Sequence, residues 1–141
     1  MDNLIRAVLI HECPEPFQAL KGALSDLSVE SYCVKGCSEA KNLIAQYQPL
    51  LVFVDHPIWR KSYADIVEMA IVDDQFFFNM IVVGPLPDIE QYVSAVSQGA
   101  FSFVVPPFPN ERLTQVVHSA ALDALDVRES LAQMPLAHAA T

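Results

Sequence analysis

Asp55 closes an unbroken apolar run, Leu50-Leu51-Val52-Phe53-Val54, and is followed by His56 and Pro57. A carboxylate where a buried strand emerges is not packing material, because burying it unpaired is costly. A second polar cluster, His11-Glu12-Cys13, follows the run Ile5-Arg6-Ala7-Val8-Leu9-Ile10. If both runs are strands of one parallel sheet, their carboxyl ends are where ligands bind. His11, Glu12, Asp55 and His56 are then donors of the types found in transition-metal sites, since imidazole suits zinc, copper or nickel. The plainer alternative is a set of polar loop residues facing water. Cys13 stands where a strand passes into a helix, a place that lowers a thiol pKa. A buried, inert thiol is the preferred reading for it and for Cys33. A Cys-x5-Arg phosphatase loop is excluded, because Ala19 occupies the arginine position.

The elements that carry these groups follow from periodicity. Residues 5–10 and 51–55 are short and continuously apolar, as strands buried on both faces are. Pro14 and Pro16 fit the first turn of a helix, and Phe17, Leu20, Ala23, Leu24 and Leu27 recur at helical spacing. A short second strand is expected over residues 29–34. Ser38 is the expected N-cap of a helix that places Ala40, Leu43, Ile44 and Tyr47 on one face. After Asp55 an irregular stretch, His56-Pro57-Ile58-Trp59-Arg60, precedes a helix capped by Ser62 with Asp65. In that stretch Trp59 is read as a docking residue or a lid. Residues 80–83 form a fourth strand, preceded by the triplet Phe76-Phe77-Phe78, part core and part exposed patch. Ile89, Tyr92, Val93 and Val96 are the expected inward face of the next helix, ended by Gly99. Residues 101–105 make a fifth strand, and 110–125 a last amphipathic helix. Residues 126–141 are polar and alanine-rich, and are expected to fray or to begin a linker to an output domain.

Strand and helix thus alternate five times. The fold class is α/β, a flavodoxin-like doubly wound (βα)5 three-layer sandwich with a parallel sheet in the order 2-1-3-4-5. A dinucleotide-binding Rossmann unit is disfavoured, because no G-x-G-x-x-G follows the first strand and the chain has four glycines.

Composition narrows the function classes. The chain has 141 residues, 52% of them hydrophobic, which suits one domain with its own core rather than a disordered segment. Eight Lys and Arg stand against 17 Asp and Glu, a net charge of −9, which disfavours direct nucleic-acid binding. No apolar run is long enough for a transmembrane helix, and the first residues lack the pattern of a signal peptide, so a cytoplasmic location is expected. Three cysteines without a metal-type pairing fit reduced thiols.

Taken together, the residues at the strand ends resemble a known family. An acidic loop follows the first strand, Asp55 ends the third, Gln98-Gly99-Ala100 precedes the fifth and Val105-Pro106-Pro107-Phe108 follows it. In this order the chain, over residues 4–125, resembles the receiver domain of bacterial two-component response regulators. The resemblance implies a non-enzymatic phosphorelay module. Asp55 would accept a phosphoryl group from a sensor histidine kinase. Mg²⁺ would be held by His11 and Glu12, by Asp55 and by the backbone carbonyl of Pro57.

Three departures mark the chain as an atypical, partly degenerate member. His11 replaces an expected carboxylate and weakens a Mg²⁺ site that prefers oxygen ligands. Gly84 stands where the family has a Ser or Thr hydroxyl, and Pro106 where it has a lysine. A bound phosphoryl group would lose a hydroxyl donor and a cation, each worth roughly 1.5–3 kcal/mol as a charge-assisted hydrogen bond. Phe103 occupies the aromatic switch position but lacks its Ser/Thr partner. The expected function is therefore signalling through protein–protein contacts with a kinase or a downstream regulator, and a homodimer through the 88–125 surface. The alternatives are a conventional phosphoryl-accepting receiver using Asp55 and Mg²⁺, a phosphocysteine carrier using Cys13, and a small-ligand flavodoxin-like binder.

Overall fold

A computed structural model of the chain describes residues 5–11, 14–72, 77–84, 89–105 and 110–132. Five strands and five helices alternate along it: β1 (Ile5–Ile10), α1 (Pro14–Asp26), β2 (Val29–Val34), α2 (Cys37–Tyr47), β3 (Leu51–Asp55), α3 (His56–Val72), β4 (Asn79–Val83), α4 (Ile89–Ser97), β5 (Ser102–Val104) and α5 (Asn110–Ala132). The sheet has the order β2-β1-β3-β4-β5 and every pairing is parallel, as expected from the sequence.

Successive strand residues point to opposite faces. Ala7, Leu9, Leu51, Phe53, Ile81 and Val83 pack with Phe17, Leu20 and Leu24 of α1 and Leu113, Val117 and Ala120 of α5. Val8, Ile10, Val52, Val54, Met80 and Val82 pack with Ala40 and Ile44 of α2, Trp59 and Ile66 of α3 and Ala95 of α4. Two cores on one sheet make the three layers. All residues of β3 are buried, which is why its sequence is continuously apolar up to Asp55.

The helices differ from expectation in four places. Gly36, not Ser38, is the N-cap of α2. The irregular stretch after Asp55 is replaced by helix: α3 begins at His56 and bends at Ser62, whose φ of −131° is not helical. Proline in a first turn removes an N–H that would have no helical partner, so Pro57 is compatible with that start.

The inward face assigned to α4 is reversed. Ile89 is 83% exposed and Val93 53%, while Ala95 is buried. Trp59, fully buried in the same core, occupies the room beneath α4. Its indole N–H donates to Oε1 of Gln98 at 3.1 Å, so α4 turns a small and polar face inward. Gly99, with a φ of 123°, ends the helix in a backbone region open to glycine, and the Ala100 N–H returns to the Ala95 carbonyl at 3.0 Å.

Finally, α5 does not fray after Leu125 but runs to Ala132. Arg128 on this extension donates to the carbonyls of Phe77 at 2.6 Å, Pro49 at 2.7 Å and Gln48 at 3.2 Å. One guanidinium thereby ties the segments entering β3 and β4 to α5. Asn79, buried at the start of β4, adds a bond to the Ala120 carbonyl at 2.9 Å and another to the Asp123 carboxylate at 3.0 Å. No helix among the described residues is long and apolar enough to cross a membrane.

Candidate functional site

The register of the sheet decides which side chains meet. Ile10 pairs with Val54 and Asp55 with Val83, so His11, Asp55 and Gly84 come together at the carboxyl ends of β1, β3 and β4. Val82 pairs with Phe103, which brings β5 to the same corner.

Asp55 is 4% exposed. Its Oδ1 accepts the backbone N–H of Ile58 at 3.0 Å. That is the geometry of a helix N-cap, three residues ahead of its donor. The carboxylate also faces the positive end of the α3 dipole. Asp55 thus has a structural task at the place where the resemblance implies chemistry. The pattern Asp-x-Pro-x is a helix-start signal, and it could have been recognised as such from the sequence.

His11 continues β1, its N–H bonded to the Val34 carbonyl at 3.0 Å. Its ring stacks on Phe17 with centroids 4.7 Å apart. Nδ1 is buried and has no hydrogen-bond partner among the described residues. Desolvation pushes the His11 pKa down; Lys35 lowers it further, and Asp55 opposes both. Burial therefore favours the neutral imidazole. His56, at the start of α3, is also pushed down, by burial first and then by Arg60, against the pull of Asp55.

Gly84 explains part of what the sequence left open. Its backbone N–H donates to the Val104 carbonyl at 3.2 Å. A Cβ added at this residue would lie 2.9 Å from the Cβ of His56 and 3.5 Å from Cζ of Phe103. Glycine is required here by space, because α3 begins directly after β3 and sets His56 against the end of β4. The importance of His56 as a neighbour of Gly84 was invisible in the sequence, since 28 positions separate the two.

The other expected site residues are distributed as follows. Pro57 lies exposed in the first turn of α3, where helical carbonyls point along the axis away from the N-cap. Glu12, Cys13 and Pro106 lie outside the described residues. Among the described residues no group of three His, Cys, Asp or Glu is placed to hold a metal ion. Of the expected Mg²⁺ ligands, the described residues place the Asp55 carboxylate and the His11 imidazole at one corner of the sheet. Cys33 is exposed on the edge strand β2, correcting the expectation of a buried thiol. Trp59 is neither a lid nor a docking residue: it is core. His118 is exposed on α5.

No family model and no curated protein sequence matches the chain. Solved structures do. NtrX from Brucella abortus, crystallised in complex with ADP, is 25% identical over 90% of this chain, with a TM-score of 0.75. The matched region is 28% of that NtrX chain, so this sequence spans little more than a quarter of its relative. The signal receiver domain of a putative LuxO repressor from Vibrio parahaemolyticus matches at 19% identity over 86% of this chain and 92% of its own, TM-score 0.70. A response regulator receiver domain from Clostridium thermocellum matches at 18% over 85% of this chain and 96% of its own, TM-score 0.69. The chain accordingly has the fold of a response regulator receiver domain.

Proposed function

We propose that the protein is a two-component signalling module, an atypical receiver that works through protein–protein contacts and is not an enzyme. The observation that carries this reading is the Asp55 carboxylate, buried and engaged as the N-cap of α3. Phosphorylating it would attach a dianion to a group whose bond with Ile58 holds the start of that helix. Gly84 offers the product no hydroxyl. Pro106 offers no charge, and Mg²⁺ is left to Asp55, to Glu12 and weakly to His11.

The test is incubation with acetyl phosphate and Mg²⁺ followed by intact mass. No stable gain of a phosphoryl group is expected. A stable gain in the wild type that disappears in Asp55→Asn would establish a conventional phosphoacceptor and overturn the degenerate reading. Asparagine is the suitable control because it keeps the N-cap. A gain that survives Asp55→Asn and vanishes in Cys13→Ser would instead favour a phosphocysteine carrier.

The contact surface of this module is the outer face of α4 with β5. Ile89, Tyr92, Val93 and Val96 are exposed there beside Phe101, and water-facing apolar residues grouped in this way mark interaction surfaces. The partners are a sensor histidine kinase or a downstream regulator, and a second copy of the chain is the simplest occupant. In this reading the receiver itself makes no direct nucleic-acid contact and the protein is cytoplasmic. Sedimentation velocity on the wild type should show a concentration-dependent dimer that Val93→Glu reduces to monomer. A wild type that remains monomeric at high concentration would remove the homodimer.

A further inference from the structure

Three observations meet at the end of β4. Gly84 has an ordinary backbone, yet a Cβ there would come 2.9 Å from the His56 Cβ, closer than carbon atoms approach. The obstructing atom belongs to the stem of His56, next to its backbone, so rotating the imidazole does not relieve it. The His56 ring in turn lies against Phe103, centroids 5.4 Å apart and planes tilted by 58°. The Phe103 ring also reaches over Gly84, its Cζ 3.5 Å from the position of the missing Cβ. The space that a side chain on residue 84 would fill is therefore filled from two sides.

We infer that His56 is a positioning residue that replaces the side chain missing at Gly84 and holds Phe103 in one packed arrangement whatever the state of Asp55. Its backbone is placed by the Asp55 cap, which starts α3 directly at the strand end. Its Cβ excludes any larger residue at Gly84, and its ring supports Phe103. Contacts run without a break from Asp55 through His56 to the partly buried Phe103, which packs against the core of that face of the sheet, and side chains held against a packed core have few alternative arrangements. The α4–β5 surface next to Phe103 is then set constitutively. The steric pairing stands on geometry alone; its regulatory meaning rests on the receiver reading given above.

A double-mutant cycle tests the pairing. Gly84→Ala should lower the melting temperature by roughly 4–10 °C in the wild type, as overpacking does. The loss should persist in a His56→Ala background, which keeps the Cβ, and disappear in a His56→Gly background, which removes it. If Gly84→Ala is harmless in the wild type, or equally damaging beside His56→Gly, the pairing is wrong. Should Gly84→Ala fail to fold at all, recovery of the fold in the His56→Gly double variant is the same result.

Aromatic NMR tests the hold on Phe103. Its ring resonances should shift in His56→Ala and stay in place in Asp55→Asn. In the wild type they should also stay in place on treatment with acetyl phosphate and Mg²⁺. Movement of Phe103 together with a mass gain on Asp55 would overturn this inference. A mass gain without that movement would overturn the degenerate reading of Asp55 and leave the inference standing. With no mass gain, the double-mutant cycle and the His56→Ala resonances decide it.

Discussion

Replacing Trp59 by alanine is expected to destabilise the protein by about 3–5 kcal/mol, the range for removing a large aromatic side chain from a packed core. Trp59 is 1% exposed and lies among the residues that join α2, α3 and α4 to the sheet. Its truncation leaves a cavity beneath α4 and removes the bond to Gln98. The exposed apolar residues of α4 give that helix little other hold on the sheet. Trp59→Phe should cost less, because most of the apolar volume stays and only the indole N–H is lost. Urea denaturation followed by circular dichroism measures both, since Trp59 is the only tryptophan and its fluorescence goes with it. A cost below about 0.5 kcal/mol for alanine, as at ordinary surface sites, would mean that Trp59 is not core.

Truncating Arg128 to alanine should cost about 2–3 kcal/mol. Hydrogen bonds from a charged donor contribute roughly 1.5–3 kcal/mol each, but this guanidinium is only half-buried and water replaces part of what is lost. Burial also lowers its pKa, although an arginine remains charged across the usual pH range. Arg128→Lys should recover little, because an ammonium group cannot fork to three carbonyls set by different segments. Ending the chain after Leu125 should reproduce the Arg128→Ala loss or exceed it. Differential scanning calorimetry checks all three. If the shortened chain melts at the wild-type temperature, the contacts to Gln48, Pro49 and Phe77 contribute nothing to stability.

Both effects bear on the proposed activity. Trp59 and Gln98 fix where α4 lies, and α4 with β5 carries the exposed surface assigned to partners. Arg128 anchors the end of α5, from which any following domain would extend. A variant that loosens either contact should change partner binding without touching Asp55.

Much of the fold was legible because it depends on local pattern. Five continuous or alternating apolar runs, separated by helical spacing, leave a parallel sheet as the economical arrangement. Asp55 at the end of a run with both faces buried was readable for the same reason. The inward face of α4 was not. Its apolar residues and its small or polar residues both recur with helical period, and periodicity does not say which side meets the sheet. The presence of Trp59, with an N–H that needs an acceptor, selected the face bearing Ala95 and Gln98. The length of α5 was missed because four of residues 126–132 are polar, and the hold of this turn on the body comes from one arginine bonded to distant carbonyls.

By itself the sequence determined the alternation of strands and helices that made 2-1-3-4-5 the leading sheet order, the place of Asp55, and the absence of a hydroxyl at Gly84 and a cation at Pro106. These follow from residue type and from spacing along the chain. Only the tertiary structure decided that Asp55 caps α3, that His56 fills the space beside Gly84, and that α4 turns its apolar residues to solvent. Each of those is a contact between groups whose separation is set by strand register and helix docking, and no local pattern encodes it.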